Sequence, residues 1–492
     1  MTTALRLHGA ALLVGLLAPL PAVAQAPAAV PSETGAREIA QAVRDWLAQQ
    51  TANVLDLPAL ALKVVADGDS YRLEVPFGGS YFDNELTLGE AAAAATIRPL
   101  DGGRWAIVNA TLPPRLRAEM RSRKDGSIST MTMAIESQET TGTLDPSLAG
   151  PSRFATTVSG YTTALEGAAG AQATRIGKLV GRTEWTPTAP GRVTIQGDST
   201  IEGYASVSPL PGGEQAKVTI GRIGGATRIE NFDMAGFGAL LRTAFELGAS
   251  AKEGKAPGKA GDKAAGTALV TRLLGQVFGM LDAMEADYTY DDVRVEGGAL
   301  FSGSLRHFGL GLSVGAPDGK TDVKLRLALE GLDTPLIPAG PWLEFVPHKL
   351  TLTPRVSGVP KEAVMGLLRR AIETEGQGMD AAALALLAEN PVSLGIGDLL
   401  IDLGPMRLKG EGSLEVASLE EANGEAELRA TGFDALIRRA SAVPELKMAA
   451  PVLIFLKGIA VQEGSETVWR ITYADRKVLV NDTDLSDLMP AR

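Results

Sequence analysis

The chain has 492 residues, no cysteine and a formal net charge of −11. An acidic surface excludes a nucleic-acid partner, whose phosphates demand a basic face, and it argues against simple electrostatic adhesion to anionic lipid head groups. No stretch approaches the ~18 uninterrupted apolar residues of a membrane-spanning helix, so no transmembrane segment is expected.

The N-terminus sets the expected compartment. Arg6 and His8 precede a 12-residue apolar run, Gly9 to Leu20, which is too short to cross a bilayer. Pro21 and then Ala22-Val23-Ala24 follow, a small-x-small cleavage site. This pattern predicts a secretory signal peptide over 1–24, a mature start at Gln25 and a periplasmic location. Cleavage removes Arg6 and no acid, so the formal charge becomes −12. Without cysteine there is no disulfide and no lipid-anchored form, so a large core must hold the fold.

Ile39, Val43, Trp46 and Leu47 predict an amphipathic helix near 36–50. The period then changes to two. Tyr71, Leu73, Val75 and Phe77 alternate with Arg72, Glu74 and Pro76, and further hairpins follow around Asp101-Gly102-Gly103 and near Gly126. The β pattern holds from about 151 to 232, and its one-sided alternation indicates antiparallel sheet with one covered face. Phe237, Leu240, Leu241, Ala244 and Phe245 predict a helix over 233–248. Residues 250–267 are rich in Gly, Ala and Lys and read as a flexible linker. A helix over 268–285 comes next, then strands that include Val323, Leu325, Leu327 and Leu329 on one side. Pro335, Pro338, Pro341 and Pro347 make an irregular crossing. Helices are expected over 360–373, 380–389 and 434–442. The longest alternation lies between the last two: Met406, Leu408, Gly410, Gly412, Leu414 and Val416.

Three strands end in the same way, with an apolar residue and then Asp: Phe232-Asp233, Leu332-Asp333 and Phe433-Asp434. Asp233 and Asp434 fit helix N-caps, whose carboxylate accepts from exposed amides of the first turn. The repeat predicts an α+β, β-rich fold. A curved antiparallel sheet would lie in two related halves, 25–249 and 268–492, with amphipathic helices on one face.

The stretch from Gly395 to Ile437 alternates, passes through Gly-Glu-Ala-Glu-Leu (424–428) and ends in Gly-Phe-Asp (432–434) before a helix. With the closing "DRKVLVNDTDLSDLMP", it resembles a family of uncharacterised exported envelope proteins of alphaproteobacterial type, carried as a domain of unknown function. The resemblance covers roughly 395–490, supports an envelope location and carries over no catalytic residue.

Motifs for chemistry are sparse. His307 and His348 lie 41 residues apart, each within a β pattern, and do not make the three-ligand set of a catalytic zinc. Gly254–Lys259 is one residue short of a phosphate loop and lacks its Ser/Thr. Asp482–Asp487 lacks the glycine of a calcium loop. No catalytic, metal or cofactor residue is therefore assigned. The positive signal is a wide apolar sheet face, with Leu325, Leu327, Leu329, Met406, Leu408 and Leu414 as candidate ligand-binding positions. The favoured reading is a soluble periplasmic carrier for a lipid-like apolar ligand, without catalysis. The alternative is an envelope structural or assembly factor acting through protein contacts. A hydrolase using paired carboxylates comes last, since no constellation supports it.

Overall fold

The computed structural model describes residues 30–51, 62–240, 279–333, 345–373, 381–382, 385 and 390–485, apart from short interruptions within these runs. The signal peptide and the linker expected at 250–267 lie outside the described residues, as does most of the helices expected over 233–248, 268–285 and 380–389. The chain divides into two compact units, Met1–Asp282 and Ala283–Arg492. Both are built on antiparallel strands that do not close into a barrel, with a few helices.

Unit 1 begins with helix α1 (Glu33–Thr51). Ser32 starts it earlier than the apolar period alone suggests, because its Oγ accepts from Gly35 N at 3.1 Å, an N-cap bond. Ala36, Ile39, Ala40 and Val43 recur at i, i+3, i+4 and i+7 and are all buried against Leu62, Tyr71, Leu73, Ile97, Trp105 and Ile107. The strands are β1 (Lys63–Asp67), β2 (Ser70–Pro76), β3 (Gly79–Ser80), β4 (Leu86–Leu88), β5 (Ala92–Pro99), β6 (Trp105–Thr111), β7 (Arg115–Arg121), β8 (Ile128–Ala134), β9 (Ser137–Asp145), β10 (Gly150–Gly167), β11 (Gly170–Ala189), β12 (Arg192–Pro209) and β13 (Gln215–Asp233).

One edge of β10 is shared between two partners. Its first half pairs with β9, which leads on through β6, β5 and β2 to β1. Its second half pairs with β8, which leads through β7 and β4 to β3. The other edge continues as a plain meander, β11, β12, β13.

The four long strands carry a device that alternation counting hides. The registers place Gly160 opposite Gly177, Gly177 opposite Gly203, and Gly203 opposite Gly221. One apolar row, Val158, Leu179, Ile201 and Ile223, runs on one side of this glycine row. A second row, Tyr161, Ile176, Tyr204 and Ile220, runs on the other. Within each strand the two apolar residues are three apart, so a regular pleat would put them on opposite faces. Gly160 and Gly203 sit at φ +62° and +64°, which breaks the pleat. Both apolar rows stay sheltered, while on β11, β12 and β13 the two residues between them are exposed.

Unit 2 is a meander: β14 (Ala283–Gly297), β15 (Phe301–Gly315), β16 (Lys320–Asp333), β17 (Lys349–Pro360), β18 (Val392–Asp402), β19 (Arg407–Val416) and β20 (Ala422–Thr431), with β20 then pairing β22 (Glu466–Ala474). The far edge of β22 takes β21 (Val461–Glu463) and β23 (Lys477–Val480), and β23 pairs β24 (Thr483–Asp484). Residues 283–285, expected as the end of a helix, open β14 instead. The three-residue apolar spacing returns here. Tyr290, Phe308 and Leu329 align, as do Val293, Leu305 and Leu332. Between the rows, Asp292 and Gly331 take φ of 55° and 67°.

The helices of this unit with described bounds are α2 (Lys361–Glu373), α3 (Phe433–Ala442) and α4 (Ala450–Gly458). The expected Asp434 cap is not formed. Gly432, at φ 72°, holds the N-cap position of α3 with no side-chain cap bond, and Asp434 accepts instead from Lys457 Nζ. Gly432 is required by a close approach, since a Cβ there would lie 2.0 Å from Pro405 O. Asp233 does cap: its Oδ1 accepts from Gly236 N at 3.0 Å. Asp333 simply ends β16.

The glycine row is testable. Gly203→Val forces a β-branched residue to positive φ and is expected to cost about 1–3 kcal/mol. Gly197→Ala on the same strand meets only ordinary contacts, 3.4 Å and beyond, and is expected to cost under about 1 kcal/mol. Urea unfolding of the two variants checks the difference.

Candidate functional site

The registers of unit 2 define one apolar face that crosses every main strand. Met284, Ala286, Tyr288 and Tyr290 on β14 stand beside Val314, Leu312, Leu310 and Phe308 on β15. Val323, Leu325, Leu327 and Leu329 of β16 follow, then Leu350, Leu352 and Val356 of β17. On β18 the residues are Leu394, Ile396, Leu399 and Ile401. Ile396 and Leu399 keep the same face although three apart, because the register shifts between them and Asp398 takes φ 51°.

This face is hollowed where β18, β19, β20 and β22 meet. Ile396 pairs with Gly412, Gly412 with Ala426, and Ala426 with Ile471. Leu399 pairs with Gly410, and Leu414 with Gly424. Small residues therefore floor a trough of about 360 Å³ whose walls are Leu394, Ile396, Leu399, Leu428, Ile471 and Tyr473, with Leu414 beside them. Leu394 and Ile396 are 40% and 46% exposed, so the trough opens to solvent. The glycines are packed to their limit. A Cβ on Gly410 would lie 2.4 Å from Leu428 Cδ2, and one on Gly412 would lie 2.7 Å from Ala426 Cβ.

Of the six positions singled out from the sequence, Leu414 lines the trough. Leu325, Leu327 and Leu329 lie on the same apolar face, half-buried on β16 and away from the trough itself. Met406 is buried in a core with Leu403, Phe433 and Trp469, and Leu408 packs against that core. Those two sit where α3 and α4 seal the sheet. Sequence reasoning missed Leu394, Ile396, Leu399, Ile471 and Tyr473. The available signal was glycine and alanine standing in the apolar phase of adjacent strands, at Gly410, Gly412, Gly424 and Ala426.

The opposite face is charged. Arg355 binds Asp322 through two bonds of 2.8 and 2.7 Å. Arg429 donates to Glu427, Glu463 and Glu466 at 2.5, 3.0 and 3.1 Å, and Arg470 bridges Glu427 and Glu463. Glu427 is held below the ordinary carboxylate range, first by its hydrogen bond from Arg429, and Glu463 first by its bond from Arg470. His307 Nδ1 lies 2.6 Å from Asp291 Oδ1 across β14 and β15, a cross-strand pair. Among the described residues, no group of three or more His, Asp or Glu could hold a metal ion.

Unit 1 carries a separate open groove of about 690 Å³, with Arg115, Arg117 and Arg175 over Ala134, Ala164 and Val207. Alanine and threonine make up much of its lining, together with Leu116 and Met133. None of the positions read from the sequence lines it.

No family profile matches the chain, and neither a curated protein nor a solved structure matches it.

Two predictions follow from this geometry. Gly412→Val overfills the sheet and is expected to cost about 1–3 kcal/mol. Ala426→Leu projects into the trough and is expected to cost under about 1.5 kcal/mol while reducing its volume. Denaturant unfolding separates the two. The ion cluster is read by pH. Its glutamate pKa values are lowered by folding, so its stabilisation is present above the ordinary value of 4.5 and is lost as pH falls through the folded values. Arg429→Gln should lower Tm at neutral pH, and the difference from the parent should shrink once the glutamates protonate.

Proposed function

We propose that the chain is a periplasmic binding or carrier protein for a lipid-like apolar ligand, and that it works without catalysis. The observation that carries this reading is the glycine-floored trough: a mainly apolar hollow, open to solvent, whose lining also includes Glu411, Ser413 and Glu425. A ligand that covers this surface gains about 25 cal/mol for each Å² withdrawn from water. The volume falls within the roughly 300–1,000 Å³ range of small-molecule sites. The resemblance over 395–490 supports an envelope role, and those residues contribute most of the trough.

The competing reading is an assembly factor whose apolar face meets another protein. Ile396 separates them. It is 46% exposed, so a lysine there can extend its ammonium into water while its stem crosses the trough. Purified parent protein is expected to release co-purified apolar ligand on solvent extraction, read by mass spectrometry. Ile396→Lys should retain about a tenth of it or less, with nearly unchanged Tm. A parent that carries no ligand, alongside an Ile396→Lys variant of normal stability, would refute the carrier and leave the assembly factor.

A further inference from the structure

Helix α4 breaks the usual rule for apolar helices. In Ala450–Gly458, Lys457 is the sole charged or hydrogen-bonding side chain. A helix that is apolar all round belongs in a core or a membrane. Here only the inner side is covered. Ala450 is buried, Leu453 and Leu456 pack on the core of Phe433 and Trp469, and Trp469 Nε1 donates to Leu456 O at 2.8 Å. The outer side is bare. Val452, Ile454 and Phe455 are 58%, 57% and 44% exposed, and Met448 in the preceding turn is 88% exposed. Contiguous large apolar side chains in water mark a contact surface.

The charges around this tip decide the occupant. The chain as a whole is acidic, yet the segment from Gly432 to Ala460 holds Arg438, Arg439, Lys447 and Lys457 against Asp434 and Glu445. Arg438 and Lys447 are exposed, and neither has a carboxylate partner among the described residues. An apolar tip with basic residues beside it matches the interface of an anionic bilayer, where apolar side chains enter the acyl boundary and cations meet head groups. A second copy of this chain fits worse, because an isologous contact would bring the same basic residues together.

We propose that α4 and the turn before it form a membrane-docking surface that binds anionic lipid bilayers peripherally. This goes beyond the carrier reading and does not require the trough to be loaded. The overall charge of −11 opposes such adhesion, so binding is confined to this patch and weakens with salt.

The test is flotation of the full chain with vesicles of phosphatidylcholine alone, or with phosphatidylglycerol in roughly equal parts. The parent should bind the mixed vesicles about tenfold better than the neutral ones. Val452→Ser with Phe455→Ser should lower binding about tenfold at unchanged Tm, because both positions are exposed. Arg438→Glu with Lys447→Glu should abolish the preference for anionic lipid. Asp434→Asn, which frees Lys457, should strengthen it. All variants are also run by analytical ultracentrifugation. The proposal is overturned if the parent does not float, or if the serine pair binds as the parent does. It is equally overturned if the parent is a dimer that the serine pair makes monomeric. Loss of vesicle binding with the co-purified ligand retained would separate docking from the trough.

Discussion

A β-sheet with one apolar face works only if every strand keeps its phase. Side chains alternate with period two, so a single extra or missing residue sends all that follow to the wrong face. In strands of 18 to 20 residues such as β10 to β13 the constraint is severe, since twist accumulates along them. This chain meets it by breaking the pleat at matched positions. Gly160, Gly177, Gly203 and Gly221 stand in line across four strands, with apolar residues on both sides. In unit 2 the same task falls to Asp292, Gly331 and Asp398, at φ between 51° and 67°. Aspartate serves because its short polar side chain tolerates the left-handed region better than other non-glycine residues. The trough depends on this directly. Without the shift at Asp398, either Ile396 or Leu399 would face the charged side.

The alternation from Met406 to Val416 was legible in the sequence, and β19 reproduces it residue for residue. The helices expected near 36–50 and over 360–373 were legible for the same reason, and α1 and α2 stand there. What escaped was information held between strands. "VSGY", "IGKL", "IEGY" and "IGRI" look like four interruptions of a β pattern. They become one feature only when antiparallel pairing brings them side by side, and that mirror order is not visible along the chain. The trough escaped likewise, because a glycine in the apolar phase reads as a weak strand position until its neighbours prove to be glycine and alanine.

Two local readings failed for other reasons. Phe433-Asp434 has the composition of a cap, but the chain enters α3 through Gly432, whose tight contact with Pro405 O fixes the entry. Local pattern could not report a contact with residue 405. Helix α4 has no apolar period to detect. It is apolar on both sides, and periodicity methods see only contrast.

The sealed and open parts of the unit 2 face are joined through shared residues. Leu428 and Ile471 wall the trough, and both also pack against the core that α3 and α4 cover. Those two side chains thus join a trough lined by strand residues to a core covered by helices. That difference is energetic. A strand is tied to its sheet by a ladder of backbone hydrogen bonds, so moving it breaks several at once. A helix satisfies its backbone internally and holds to the sheet mainly by side-chain packing. Here that packing is reinforced by Trp469 Nε1 to Leu456 O, while the Lys457 to Asp434 pair ties α4 to α3. The contacts of α3 and α4 with that core can therefore part without loss of the sheet's ladder. Helix α4 presents Val452 and Phe455 to solvent, while its Leu453 and Leu456 pack on the core that Leu428 and Ile471 share with the trough.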